Sequence, residues 1–205
     1  MGVGEFYTRC YYPENLNYCY NQVYRYITVN GYKNKNKGRK WIFVEKKMRG
    51  VTLVADWDPK PEFKLGPKDI DKRQTYMGSL VYRNPRIEIR EYDIPKPGPE
   101  EVLIEVKACG ICGSDVHMAH PDEQGYIYYP GLTGFPTILG HELSGIVVEA
   151  GERAYDKRTN KRYKGGEWVC AEEMLWCGSC QPCADGWPNH CERLDEIGFN
   201  VDGAF

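Results

Sequence analysis

Four cysteines stand close together near the end of the sequence, in the stretch CGSCQPCADGWPNHC. They are Cys177, Cys180, Cys183 and Cys191. Two residues separate each of the first three, and Gly, Ser and Pro in these gaps favour tight turns that bring several thiolates to one ion. Four thiolates complete the tetrahedral shell of Zn²⁺ and leave no place for water. The spacing therefore predicts a closed, structural zinc site; disulfides or solvated thiols are the alternative.

A second group of metal-ligating and proton-carrying residues is divided between the stretches CGICGSDVH and GHELSGIVVEAG. Its members are Cys112, Ser114, Asp115, His117, His141 and Glu142. One thiolate, one imidazole and one carboxylate from separate segments can hold a zinc ion and leave a position open for water or substrate. Taken singly, the residues have other interpretations: Cys109 and Cys112 as a redox Cys-x-x-Cys pair, His141 as a turn residue, and Glu142 as a surface carboxylate.

Short strand patterns between Gly- and Pro-rich turns surround both groups. RIEIREY alternates Ile87 and Ile89 with charged residues, and EVLIEVKA alternates apolar and mostly charged positions. SGIVVEAG is a continuous apolar run suited to a buried strand, and EWVCAEE is also strand-like, whereas only CGSDVHMAH fits a short helix. Short strands at such spacing are typical of a β-barrel or a β-sandwich, so we expect a mainly β fold.

Charge divides the chain into two parts. Residues 1–47 carry nine Lys/Arg, three Asp/Glu and eight of the 16 tyrosines, whereas the whole chain of 205 residues has a net charge of −2. A basic, aromatic stretch could bind nucleic acid or an anionic surface. Because it has no periodic apolar face, we predict instead an extension outside the core, followed by one domain over residues 48–205.

Composition also excludes several classes of protein. The acidic net charge argues against a nucleic-acid-binding protein. No apolar run has the roughly 18 residues that a membrane span requires, and the N-terminus lacks the apolar stretch of a signal peptide. We therefore expect a cytoplasmic protein without a membrane partner, in which the nine cysteines are metal ligands and buried thiols rather than a disulfide framework.

The motifs together resemble those of the zinc-containing medium-chain alcohol and polyol dehydrogenases. Gly140-His141-Glu142, followed by Gly145 and Gly151, is similar to that family's signature, CGICGSDVH looks like its first zinc-ligand loop, and the four-cysteine stretch follows at the expected place. The resemblance extends from about Met48 to Phe205. It implies a GroES-like β-barrel with a short helix and a projecting structural-zinc lobe.

The resemblance also implies a role for each residue of the second group. Cys112, His141 and Glu142 would bind the catalytic zinc, Ser114 would take the proton of the alcohol, and His117 would pass it towards solvent. Asp115 would orient the zinc-binding histidine from behind. Cys109 and Cys170 would be buried strand residues. A complete chain would hold two zinc ions, catalytic and structural, would use NAD or NADP, and would act on a small polyol, inosose or alcohol; a homo-oligomer stays open for the complete enzyme.

One feature of that family has no counterpart in this sequence. No Gly-x-Gly-x-x-Gly follows a strand pattern, and in Gly2-Val3-Gly4 the third position is Tyr7. We therefore expect the Rossmann domain to be absent from this chain, the chain to be truncated after the catalytic domain, and the 205 residues alone to be inactive. The alternative is a non-catalytic zinc-binding module derived from such an enzyme.

Overall fold

The structure is a computed structural model that describes residues 26–27, 47–156 and 159–205. The described strands are Tyr26–Ile27 (β1), Lys47–Trp57 (β2), Tyr82–Asp93 (β3), Val102–Gly110 (β4), Thr137–Ile138 (β5), Glu142–Ala150 (β6), Tyr155–Asp156 (β7), Lys161–Arg162 (β8), Trp168–Cys170 (β9), Met174–Leu175 (β10) and Asp195–Glu196 (β11). The helices are short: Pro67–Lys72 (α1), Gly78–Val81 (α2), Gly113–Ala119 (α3) and Gln181–Ala184 (α4), with a 3₁₀ turn at Pro188–His190. The expectation of a mainly β fold is confirmed. Within the described ranges the strands form separate sheets rather than one closed barrel.

The sheet that carries most of the core has the strand order β1-β4-β6-β9. β4 and β6 are antiparallel, and their apolar runs bury Val102, Ile104, Leu143 and Val147 against one another. Gly145 is paired with Val106 in this ladder, and a Cβ at Gly145 would overlap the neighbouring Glu105 backbone, which explains why the motif needs a glycine there. The β4–β6 ladder ends at the pair Gly110 and Glu142, so that both candidate ligand stretches lie at the same end of these two central strands.

A second sheet has the order β3-β2-β5. β2 and β3 form a long antiparallel pair, with an irregular register between Val54 and Asp56. β3 confirms the strand predicted from RIEIREY. However, Ile87 and Ile89 are exposed, at 57% and 73%, so that the alternation marks a strand but does not mark its core face.

A further apolar cluster is built from distant segments. Leu53 of β2, Met118 of α3, Leu139 and Phe199 form it. The last residues fold back along the segment before His141: Gly203 donates to the Ile138 carbonyl, and Ala204 and Phe205 donate to the Leu139 carbonyl. This packing holds the second ligand stretch independently of any ion.

The four-cysteine stretch forms a lobe between β10 and β11. These two-residue strands pair Met174 with Glu196 and Leu175 with Asp195, and the chain between them contains α4 and the 3₁₀ turn. The predicted projecting lobe is thus anchored by one short ladder.

Two expectations about position have different outcomes. Cys170 is exposed at the end of β9, because the strand's paired backbone leaves that side chain on the outer face; its predicted burial is wrong. The division at residues 47 and 48 stays a prediction, although Tyr26–Ile27 pairs in parallel with β4 at Ile104 and Glu105. Among the described residues, no helix has the length and apolar content needed to cross a membrane.

Candidate metal centres

The four cysteines of the lobe converge on one point. Their sulfur atoms all lie within 4.8 Å of one another, and none is in a disulfide. Cys180 Sγ is 3.4 Å from Cys183 Sγ and 3.9 Å from Cys191 Sγ. Thiolates held about 2.3 Å from a tetrahedral zinc ion would be about 3.8 Å apart. The spacing therefore fits one zinc ion and is too long for a disulfide bond.

Backbone and side-chain donors surround these sulfur atoms. Cys191 Sγ accepts from the amides of Cys177 and Arg193, both at 3.3 Å, and Cys177 Sγ accepts from the amide of Ser179 at 3.5 Å. The Ser179 hydrogen bond and the Arg193 side chain lower the pKa of Cys177 to about 5, whereas burial raises the pKa of Cys183 to about 12. A bound dication would favour the thiolate form of all four cysteines.

The second group also comes together. Ligand atoms of Cys112, His141 and Glu142 all lie within 4.8 Å of one another. Cys112 directly precedes α3, His141 follows the β5 segment, and Glu142 begins β6. His141 is buried, and Glu142 is exposed. This donor set fits a metal ion with one side open, because three protein ligands leave a position in a tetrahedral shell.

Asp115 ties the two ligand stretches together. Its carboxylate accepts from the Cys112 amide at 2.9 Å and from the Gly140 amide at 3.2 Å, and the side chain is almost completely buried. Asp115 Oδ1 lies 3.7 Å from His141 Nδ1, beyond hydrogen-bond distance. Asp115, the residue predicted to orient His141, thus accepts hydrogen bonds from the backbone of both candidate ligand stretches.

A glycine makes room for the carboxylate of Glu142. Gly110 at the end of β4 is paired with Glu142 in the β4–β6 ladder, and a Cβ at Gly110 would overlap Glu142 Oε2. Sequence reasoning missed Gly110. The signal that could have found it is the Gly directly before the ligand-bearing loop, in the apolar-to-polar transition of CGICG.

The two predicted proton carriers, Ser114 and His117, lie one turn apart on α3. Ser114 Oγ is 3.2 Å from His141 Nε2, so its hydroxyl reaches the open site. His117 lies one turn further along the helix and is exposed. Within the described part of the chain, no direct hydrogen bond joins the Ser114 hydroxyl to the His117 ring.

Three residues reach the open site without having been predicted. Glu173 Oε2 lies 3.7 Å from His141 Nε2, and the ring of Phe199 packs against the ring of His141 with centroids 4.6 Å apart. The ring of Tyr129 in turn packs against the ring of Phe199, with centroids 5.2 Å apart. Burial raises the pKa of Tyr129 to about 12, and the charges of Glu196 and Glu173 add to this. Burial also raises the pKa of Glu173.

The thiol of Cys109 has a different environment from its neighbour in the Cys-x-x-Cys spacing. It is partly buried on β4, and burial raises its pKa to about 11. Because the thiolate is the reactive and metal-binding form, a protonated Cys109 does not favour the redox interpretation.

Residues 98–205 match the model of the family described as the alcohol dehydrogenase GroES-like domain. The chain belongs to this family. The match covers more than half of the chain and contains both cysteine-bearing groups, so the family that the motifs resembled is confirmed.

Relatives of this GroES-like domain are dehydrogenases. The scyllo-inosose 3-dehydrogenase of Thermotoga maritima is 66% identical over 161 residues, which are 77% of this chain and 40% of that protein. The L-threonine 3-dehydrogenase of Bacillus licheniformis is 40% identical over 112 residues, which are 55% of this chain and 30% of that protein.

A solved structure gives the same result for the fold. It is described as an alcohol dehydrogenase from Thermotoga maritima and matches with a TM-score of 0.70 and 66% identity, over 76% of this chain and 40% of that chain. The present chain therefore spans about 40% of the length of the Thermotoga maritima proteins that it matches.

Proposed function

We propose that this GroES-like domain is the zinc-binding, proton-transferring part of an alcohol or polyol dehydrogenase. The observation that carries the proposal is the convergence of Cys112, His141 and Glu142 on one open point, with the Ser114 hydroxyl 3.2 Å from the His141 ring. Membership of the dehydrogenase family supports it.

Two groups of residues would each hold one zinc ion. Cys177, Cys180, Cys183 and Cys191 would hold a structural zinc, and Cys112, His141 and Glu142 a catalytic one. A catalytic zinc supplies Lewis acidity, which lowers the pKa of an alcohol. Asp115 keeps the two ligand stretches at a constant separation through its bonds to the Cys112 and Gly140 amides.

The proton of the substrate hydroxyl leaves along α3. Ser114 accepts it, because its hydroxyl is the polar group beside His141 that is able both to accept and to donate. His117, one turn further and exposed, then releases it to solvent, directly or through water. Removing the proton prepares the carbon for loss of a hydride to a nicotinamide cofactor.

Hydride transfer needs a nucleotide-binding segment that we do not find in these 205 residues. No Gly-x-Gly-x-x-Gly follows a strand, and the matched Thermotoga maritima dehydrogenase is much longer than the segment that the two proteins share. We infer that NAD or NADP binds elsewhere in the functional unit and that the chain alone does not turn over.

The names of the relatives indicate the type of substrate. Scyllo-inosose 3-dehydrogenase and L-threonine 3-dehydrogenase are both named for small, polar molecules. We propose a small polyol, inosose or alcohol as substrate for this chain, within a cytoplasmic enzyme whose complete form could be a homo-oligomer.

The test joins this chain to the remaining part of the Thermotoga maritima relative. We expect the joined protein to reduce NAD or NADP with a polyol, the unjoined chain to show no turnover, and Ser114→Ala to remove most activity of the joined form. Metal analysis of the unjoined chain should give two zinc ions that a mild chelator releases in two kinetic classes. A single bound zinc and an inactive joined protein would favour a non-catalytic zinc module.

A further inference from the structure

A carboxylate outside the predicted ligand set faces the open site. Glu173 Oε2 is 3.7 Å from His141 Nε2, the same ring nitrogen that Ser114 Oγ approaches to 3.2 Å. Glu173 does not belong to the group of three residues whose ligand atoms all lie within 4.8 Å of one another. Its oxygen therefore lies beside the His141 ring but more than 4.8 Å from at least one of the other two ligand atoms.

The backbone holds Glu173 firmly in this place. Its carbonyl accepts from the Ile197 amide at 3.0 Å, directly beside the β10–β11 ladder in which Met174 pairs with Glu196. The side chain itself is 40% exposed. A carboxylate on a fixed backbone with a partly free head is suited to accept a hydrogen bond from a bound molecule.

The surroundings of Glu173 are acidic. The charged groups that act on it are the carboxylates Glu172, Glu142 and Asp115 and the ring of His141, and Glu196 lies on the neighbouring strand. A second anion would be repelled here, whereas the hydroxyl groups of a neutral molecule would find acceptors.

We infer that Glu173 is a specificity-determining residue, which accepts a hydrogen bond from a hydroxyl next to the reacting one and so selects neutral polyhydroxylated substrates. This inference rests on the proposed function, because it places the reacting hydroxyl at the open position beside His141. Apolar alcohols leave Glu173 without a donor, and anionic polyols meet like charge.

The test measures ligand binding to the full 205-residue chain, with Zn²⁺ in the four-cysteine lobe and Co²⁺ at Cys112, His141 and Glu142. The probes are myo-inositol, cyclohexanol, which has the same ring with one hydroxyl, and glucuronate, an anionic polyol. Changes in the cobalt absorption spectrum report binding, and metal analysis reports loading.

We expect the wild-type chain to bind myo-inositol more tightly than cyclohexanol or glucuronate. Glu173→Gln should weaken myo-inositol binding by about tenfold or more, as expected for loss of a hydrogen bond to a charged acceptor, and should change cyclohexanol binding by less than about twofold. Glu172→Gln, a change of the same type at the exposed neighbouring residue, should alter neither.

Three outcomes overturn the inference while the proposed function stands: no spectral response to myo-inositol, an equal effect of Glu173→Gln on myo-inositol and cyclohexanol, or reduced cobalt loading in Glu173→Gln, which would make Glu173 a ligand. Failure of the wild-type chain to bind cobalt at the open site would instead contradict the proposed function itself.

Discussion

The two candidate metal centres of this domain differ in what surrounds them. In the lobe, Cys180, Cys183 and Cys191 form the buried cluster, and Trp176, Cys177 and Leu194 pack against it. The open site instead lies beside the apolar cluster of Leu53, Met118, Leu139 and Phe199, which joins β2, α3 and the last residues of the chain.

This difference determines what a metal ion would do for stability. Because the buried cluster of the lobe consists of cysteines, folding of the lobe buries little apolar surface. Its folding free energy must therefore come largely from the metal. The open site is held by side chains that pack without an ion. We therefore expect loss of metal to unfold the first region and merely to empty the second.

Replacing one sulfur in each centre should give the largest difference. Structural zinc contributes on the order of 10 kcal/mol to the folding of small zinc domains. Cys183→Ser should therefore unfold the lobe and cause aggregation, whereas Cys112→Ser should melt within a few degrees of the wild-type chain, as measured by calorimetry with zinc analysis. Equal losses of melting temperature would mean that the two roles are misassigned.

A glycine variant should affect the open site alone. Gly110→Ala would push the Glu142 carboxylate aside, since the new Cβ would overlap Glu142 Oε2. We expect metal affinity at the open site to fall by about tenfold, the effect typical of disturbing a ligand's support, with little change in melting temperature. Competition with a chromophoric chelator measures the affinity.

Gly113→Ala is the matched control for this experiment. A Cβ at Gly113 would meet no atom within 4 Å, although Gly113 lies only three residues further along the chain, at the start of α3. Unchanged metal affinity in Gly110→Ala, or equal losses in both variants, would show that the position of Glu142 does not matter for the site.

A smaller effect concerns Glu196, which lies on the strand that joins the two regions. Burial raises its pKa from 4.5 to about 7, and the charge of Glu173 adds to this. The folded chain therefore holds this proton more tightly than the unfolded chain, so the stability it contributes is complete below pH 4.5 and is lost as the pH rises through about 7.

Glu196→Gln should remove this loss. Relative to the variant, the wild-type chain should become less stable between about pH 5 and about pH 8, which melting curves of both proteins at several pH values would show. Glu192→Gln, at an exposed position of the same segment, should run parallel to the wild type. A difference that is constant with pH for Glu196→Gln would contradict the raised pKa.

The smallest change is expected from removing residues 1–47, so that the chain starts at Met48. If this segment is an extension outside the core, the shortened chain should keep both zinc ions and melt at nearly the same temperature. Tyr26–Ile27, which lie in this segment, pair with β4, so the loss should include that of one short strand. A large loss of stability would place the domain boundary before residue 48.

Much of both centres could be predicted from local spacing. The lobe is built from residues 177–191, and turns over such short distances follow from the gaps between the cysteines. The short helix that the sequence predicts from CGSDVHMAH is present as α3. The strands were predictable from their apolar patterns, and the motifs that resemble those of the family indicated the open site.

Other features depend on which segments meet in space. The exposure of Ile87, Ile89 and Cys170 reflects which face of each strand another layer covers, and a period of two cannot tell one face from the other. Gly110 matters only because β4 and β6 are in the register that places it opposite Glu142.

The sequence by itself determined the identity and order of the candidate ligands, since these depend on residue types and on spacing along a short stretch of chain. The tertiary structure alone decided that Glu173 and Phe199 lie against His141. Those contacts join the residue before β10, the segment after β11 and the loop before β6. They exist because the β10–β11 ladder and the packing of the last residues bring these segments together. Contacts between distant segments leave no periodic signal in the sequence, because they do not depend on the spacing of residues within any one segment.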